Sequence, residues 1–181
     1  MFVQKELREK NIAEYLLYMW QVEDMIRAAG LDSDRLYDSF IRSSGRSDEE
    51  CQAWKQWYDD LIEMMRSEDK TVHGHLQINE NVLILLEDLH HRLMDSHKQP
   101  DYSGLYYKAL PFIVEFRAKN HSTENEELRD CFNMLYGVWL LKVQGKPVSE
   151  ATTQAVKAVS AFIGKLALLY REDKEGTLEI E

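Results

Sequence analysis

The sequence predicts an all-α fold: a single-domain bundle of six to seven helices, mostly antiparallel, over residues 1–173, with a short charged tail at 174–181. Three observations lead there. Apolar residues recur at three- and four-residue spacing along most of the chain. Turn formers are scarce, with 8 Gly and 3 Pro in 181 residues, whereas sheet-rich folds need many. The strongest breakers, such as Gly30, Ser44-Gly45 and Gly145-Lys146-Pro147, fall between the periodic runs.

The first helix is expected from Val3 to Ala29, ended by Gly30. Asp32 or Ser33 caps a short second helix carrying Leu36, Tyr37, Phe40 and Ile41, and Ser43-Ser44-Gly45-Arg46 is a loop. Ser47 opens the third helix. Glu50, three residues on, completes a capping box, in which each side chain satisfies the other residue's free backbone N–H. Its stripe is Cys51, Trp54, Tyr58, Leu61, Ile62 and Met65, and the polar run 66–74 is a connection. The fourth helix covers Leu76 to Ser96, with Ile78, Val82, Leu85, Leu86, Leu89 and Leu93 inward. The fifth runs from Tyr102 to Lys119, and Pro111 should kink it or mark its start. Ser122 or Thr123 caps the sixth, where Glu124, Glu126 and Glu127 suit the positive end of the helix dipole. From Cys131 to Val143 this helix is apolar nearly all round, which predicts the central, most buried helix, with the first packed against it. Ser149 caps the seventh, which runs to about Arg171 with Val159, Phe162, Ile163, Leu166 and Leu169 on one face. The tail should be frayed, with 177–180 able to pair as a short strand.

The formal net charge of −10 disfavours a nucleic-acid partner and docking on an anionic membrane, since both need a basic face. The longest basic cluster is Lys5, Arg8 and Lys10, interleaved with Glu6 and Glu9. No apolar run approaches the ~20 residues that span a bilayer. The N-terminal segment lacks the apolar core and cleavage site of a signal peptide. The two cysteines, Cys51 and Cys131, occupy apolar helix positions and read as buried free thiols in a reducing compartment, so the expected location is cytoplasmic. There the sequon Asn120-His121-Ser122 carries no meaning.

The candidate site is on the first helix. Ile12, Leu16, Met19, Val22 and Ile26, with Tyr15 and Trp20, share one side, and Glu23 falls in the middle of it. A carboxylate on a core-facing stripe is costly to bury unless paired, and Arg27 is its i,i+4 neighbour, one turn on and near Trp20. Glu23, Arg27 and Trp20 are therefore the candidate ligand-binding residues. The competing structural reading is an ion pair that fixes helix packing with a partner from another helix. Asp24 projects to the polar flank and should be solvated.

Other groups are weaker. Glu87 and His90 form a single E-x-x-H, whereas carboxylate-bridged di-iron bundles need two. Glu87 and His91 lie opposite the apolar stripe and His90 at its edge, so all three should face solvent. His73-Gly74-His75 is an H-x-H, which His97 or His121 could complete, but nothing in the sequence brings these together, and no metal or cofactor is expected. Leu17, Tyr18, Met25 and Tyr107 fall off their stripes and could form a dimer surface or a pocket rim. No phosphate-binding loop, dinucleotide fingerprint, nucleophile elbow, H-E-x-x-H, C-x-x-C or EF-hand loop is present.

The run Glu14–Arg27, EYLLYMWQVEDMIR, together with the Cys131–Lys142 segment and its Tyr-Gly-Val-Trp core, resembles a bacterial, Bacteroidetes-type family of unknown function whose members are about this long. The resemblance implies a cytoplasmic helical protein and supplies no activity, ligand or catalytic residue. The leading expectation is thus a non-enzymatic interaction or ligand-binding module that self-associates, as a homodimer, with room for an unidentified small molecule. The rival is a helical-bundle enzyme or metal-binding protein with a polar site around Glu23 and Arg27.

Overall fold

Local capping chemistry sets most of the helix boundaries. A computed structural model describes residues 3–42, 44–120 and 126–180. It contains α1 (Val3–Lys10), α2 (Ile12–Ala28), α3 (Ser33–Leu36) running into a π turn (Tyr37–Ile41), α4 (Asp48–Ser67), α5 (Gln77–Ser96), α6 (Pro100–Asn120), α7 (Glu127–Val143) and α8 (Glu150–Glu175). Among the described residues there is no strand, so the fold is all-α as expected, and 177–180 pair with nothing as a strand. The expected caps at Ser122 or Thr123, together with Glu124, His121, Ser43 and the sequon, lie outside the described residues.

Among the described residues there is one α-helix more than the upper expectation because the first divides at Asn11. The Asn11 side chain accepts from the Glu14 N–H (3.2 Å) and donates to Glu14 Oε1 (2.9 Å). This reciprocal cap starts a new helix inside what reads as one continuous stripe. The Ser47/Glu50 capping box forms as expected, and Asp32 caps α3 by accepting from the Asp34 and Arg35 N–H groups. Gly30, at φ 72°, ends α2, where the Leu31 N–H reaches back to the Ile26 carbonyl (3.0 Å). The short second helix departs from expectation. In the π turn the Arg42 N–H bonds the Tyr37 carbonyl at i−5 (2.9 Å). That wider winding buries Leu36 and Ile41 and leaves Phe40 54% exposed.

The described residues fall into two compact units. One is residues 18–81: the end of α2, α3 and its π turn, α4, and the start of α5. Its buried residues include Met19, Trp20, Val22, Ile26, Tyr58, Leu61, Ile62, Met65 and Leu76. The other joins residues 1–17 to residues 82–181 and contains α1, the start of α2, the rest of α5, and α6, α7 and α8, with α6, α7 and α8 in mutual contact. Tyr102, Ala109, Ile113, Cys131, Phe132, Val159, Phe162 and Leu166 are fully enclosed there.

Two expectations about this second unit are corrected. Helix α7 is buried at Leu128, Cys131, Phe132, Met134 and Val138, but Trp139 is 38% and Val143 64% exposed, so one flank of its C-terminal part stays open. Pro111 does not begin a helix. That role falls to Pro100, the first residue of α6, where a missing N–H costs nothing. Pro111 sits inside α6 on its exposed side, where water can satisfy the Tyr107 carbonyl that its missing N–H would have bonded.

Candidate functional site

Glu23 is fully buried, as its position on the apolar stripe of α2 requires. Its partner, however, is not Arg27. The carboxylate collects donors from the end of the 68–76 loop and the first turn of α5. His75 Nδ1 lies 2.6 Å from Oε2, the Leu76 N–H donates to Oε1 (3.0 Å), and Asn79 Nδ2 donates to the same oxygen (2.6 Å). Leu76 is the residue immediately before α5 and carries no side chain able to cap it. Glu23 supplies that cap from α2, and Glu68 Oε2 takes the next N–H, from Gln77 (2.7 Å). Two carboxylates thus face the positive end of the α5 dipole.

Trp20, one turn before Glu23, stacks on the His75 ring, with centroids 4.0 Å apart and planes 10° from parallel. Arg27, a further turn on, secures the same loop. It donates to the carbonyl of Lys70 through Nε (3.3 Å) and Nη2 (3.2 Å), to the Gly74 carbonyl, and to Asp24 Oδ1 (2.8 Å). Asp24 is therefore Arg27's carboxylate rather than a free solvated group. The three residues read from the sequence do meet around one feature, the 68–76 loop, but as a latch that holds it. No Ser, Thr or Cys side chain bonds the other nitrogen of His75 among the described residues. His73, two residues away, is exposed, and no group of three metal-ligating side chains gathers anywhere among the described residues.

A second constellation lies in the other unit and was not anticipated. His90 is buried, 7% exposed, rather than solvent-facing. Its Nδ1 lies 2.6 Å from the Tyr102 hydroxyl, and the rings of Tyr106 (5.0 Å) and Phe162 (5.7 Å) close around it. On α5, His90 follows Leu86 by four residues and precedes Leu93 by three, both buried, at the edge of the apolar stripe. Burial pushes its pKa down to about 4, with His91 adding to the effect and Glu127 opposing it. Beside it the Tyr106 hydroxyl donates to Glu127 Oε2 (2.9 Å). Arg117 grips Glu127 Oε1 (3.2 Å) and the buried Asp130 (3.3 Å).

His90, Tyr106 and Glu127 line an open cleft of about 510 Å³ walled by α5, α6 and the start of α7. Glu87, His90, His91 and Met94 come from α5, Tyr106, Tyr107 and Leu110 from α6, and Glu127 and Leu128 from α7. Tyr107, 61% exposed, is the rim residue its off-stripe position suggested, whereas Leu17, Tyr18 and Met25 are half-buried. No Lys or Arg lines the cleft. Desolvation raises Tyr102, Tyr106 and the enclosed Cys131 thiol well above their ordinary values. Both cysteines are buried and unbridged.

Fold and site together define a helical protein with a preformed aromatic cleft and no activated nucleophile among these groups. The chain belongs to the family of domain of unknown function DUF4924, whose model matches residues 1–177. No curated protein and no solved structure matches it. No helix is long and apolar enough to cross a membrane among the described residues.

Proposed function

We propose that this protein is a non-catalytic binding module, and that the α5–α6–α7 cleft seats a small ring-bearing amine. One observation supports this above the others: aromatic rings from two helices and the carboxylates of Glu87 and Glu127 converge on one cleft with no Lys or Arg in its lining, Arg117 pairing with Glu127 from outside that lining. Aromatic faces and carboxylate edges favour a desolvated cation. The neutral His90 and the raised phenols favour binding over proton transfer, since none is poised near neutral pH. The Glu23 latch belongs to the scaffold, because every donor around its carboxylate is already engaged with it. The two free, buried thiols fit a reducing compartment such as the cytoplasm. Calorimetric titration of the full chain with phenethylamine, and with phenylacetate as a ring of opposite charge, tests the reading. Preferential binding of the amine, weakened by Tyr107→Ala, supports it; equal binding of both, or of neither, overturns it.

A second reading, self-association into a homodimer, has its own observation. On the outer face of α7, Trp139 stacks with Tyr136 (centroids 5.6 Å apart), and Val143 is 64% exposed one turn on. This is apolar surface of the kind a second copy would cover.

A further inference from the structure

The N-terminal cations that are too few and too interleaved to matter in sequence acquire partners from the other end of the chain. Arg8, Lys10, Arg171 and Lys174 line one cleft of about 410 Å³. Its remaining lining is Glu9, Glu175 and an apolar floor of Ile12, Leu85, Ala167 and Tyr170. Four cations thus meet two carboxylates on a protein whose net charge is −10. Cations in the last turn of a helix suit its dipole, and that accounts for Arg8 and Lys10 on α1 and for Lys174 on α8. It does not account for two such helix ends enclosing one cleft.

Nor are the four charges all consumed. Lys10 is bonded to Glu6 (2.6 Å), and Arg171 is 3.9 Å from Glu175. Arg8 and Lys174 rest on aromatic faces instead, 5.6 Å above Tyr15 and 5.9 Å from the centre of Tyr170. Neither makes an ion pair with a carboxylate among the described residues. A guanidinium stacked on a ring keeps its in-plane N–H donors, the arrangement that matches phosphate oxygens.

We propose that this cleft binds the phosphate group of a small organic phosphate, with Arg8 and Lys174 as its main contacts and Leu85 and Tyr170 against the organic part. The cleft is local and holds only four cations on a chain of net charge −10, so it fits a compact anion better than the extended phosphate track of a nucleic acid. The site is separate from the amine cleft, and its fate does not depend on that one.

Inorganic pyrophosphate titrated calorimetrically into the full chain is the probe. The expected result is saturable one-to-one binding with a Kd below ~1 mM, weakened at least about tenfold in the double variant Arg8→Gln/Lys174→Gln. It should be unchanged in Lys108→Gln, an exposed cation outside the cleft. Matching far-ultraviolet circular dichroism shows that the double variant is folded. No binding, or equal binding by the double variant, overturns the proposal. Phospholipid vesicles with and without phosphatidylglycerol separate the two sources of phosphate. Sedimentation with the anionic vesicles in the absence of pyrophosphate binding would assign the cleft to a lipid headgroup and overturn the small-molecule reading.

Discussion

Lowering the pH should destabilise this protein through His90 more than through any exposed histidine. The unfolded chain takes up a proton at this residue near the ordinary value of 6.5, while the folded chain resists to about 4. A histidine whose folded pKa is depressed stabilises fully above the unfolded value. That contribution is lost as pH falls from 6.5 towards 4. At ~1.4 kcal/mol per pKa unit the interval is worth about 3 kcal/mol, a large share of the ~5–15 kcal/mol typical of a domain. The groups facing the ring are Tyr102 and Tyr106 from α6, Glu127 from α7 and His91 on its own helix. Of these only Glu127 would favour imidazolium, and Arg117 and the Tyr106 hydroxyl already occupy its carboxylate. The perturbation is His90→Asn, which can keep a hydrogen bond to Tyr102 but cannot titrate. Urea denaturation of both proteins between about pH 7.5 and about pH 4 provides the assay. The parent should lose about 3 kcal/mol more than the variant over that range, because all other titrating groups are common to both. Parallel curves would refute the assignment of a buried, neutral His90.

Four further outcomes follow from the structure. Glu23→Ala should cost ~3–5 kcal/mol, since it strands the Leu76 N–H and the Asn79 amide in a buried site. Arg27→Ala should cost only ~1–2 kcal/mol but speed amide hydrogen exchange selectively across 70–76, the segment whose carbonyls it holds. Removing the α4 cap with Ser47→Ala should lower stability by ~1 kcal/mol, read as a shift in urea midpoint without a change in slope. In light scattering, Trp139→Glu should convert a dimer to monomer; a parent that is already monomeric would dispose of the self-association reading.

Much of the helical scaffold was legible because caps and stripes are local. Asp32, Ser47/Glu50, Gly30 and Ser149 each act within a few residues of themselves. The division at Asn11 was equally local, as an N-x-x-E, but the apolar stripe running through it masked the signal. The burial of Glu23 could be read from periodicity, and its partners could not, since His75, Leu76 and Asn79 sit more than fifty residues away. Its nearest cation, Arg27, proved to be bonded to backbone carbonyls, which leave no mark in a sequence. A usable hint existed at the other end: α5 begins after His75-Leu76 with no capping side chain of its own, so a donor-hungry carboxylate and an uncapped helix were both on view. His90 was misplaced for a different reason. A wheel drawn for α5 alone shows an edge position, and only the rings of Tyr102, Tyr106 and Phe162, brought in by α6 and α8, make that edge an interior. The same holds for α7, whose uniform apolarity suggested full burial although one flank remains open.

The binding reading depends on occupancy of the α5–α6–α7 cleft, and the methyl resonance of Met94 reports on it most directly. Met94 lines that cleft, and no other methionine among the described residues does. In a methyl-labelled sample titrated with phenethylamine, Met94 should shift progressively and saturate while the other methionine resonances stay in place. A Met94 signal that stays fixed through the titration, or a shift confined to the other methionines, would contradict the account.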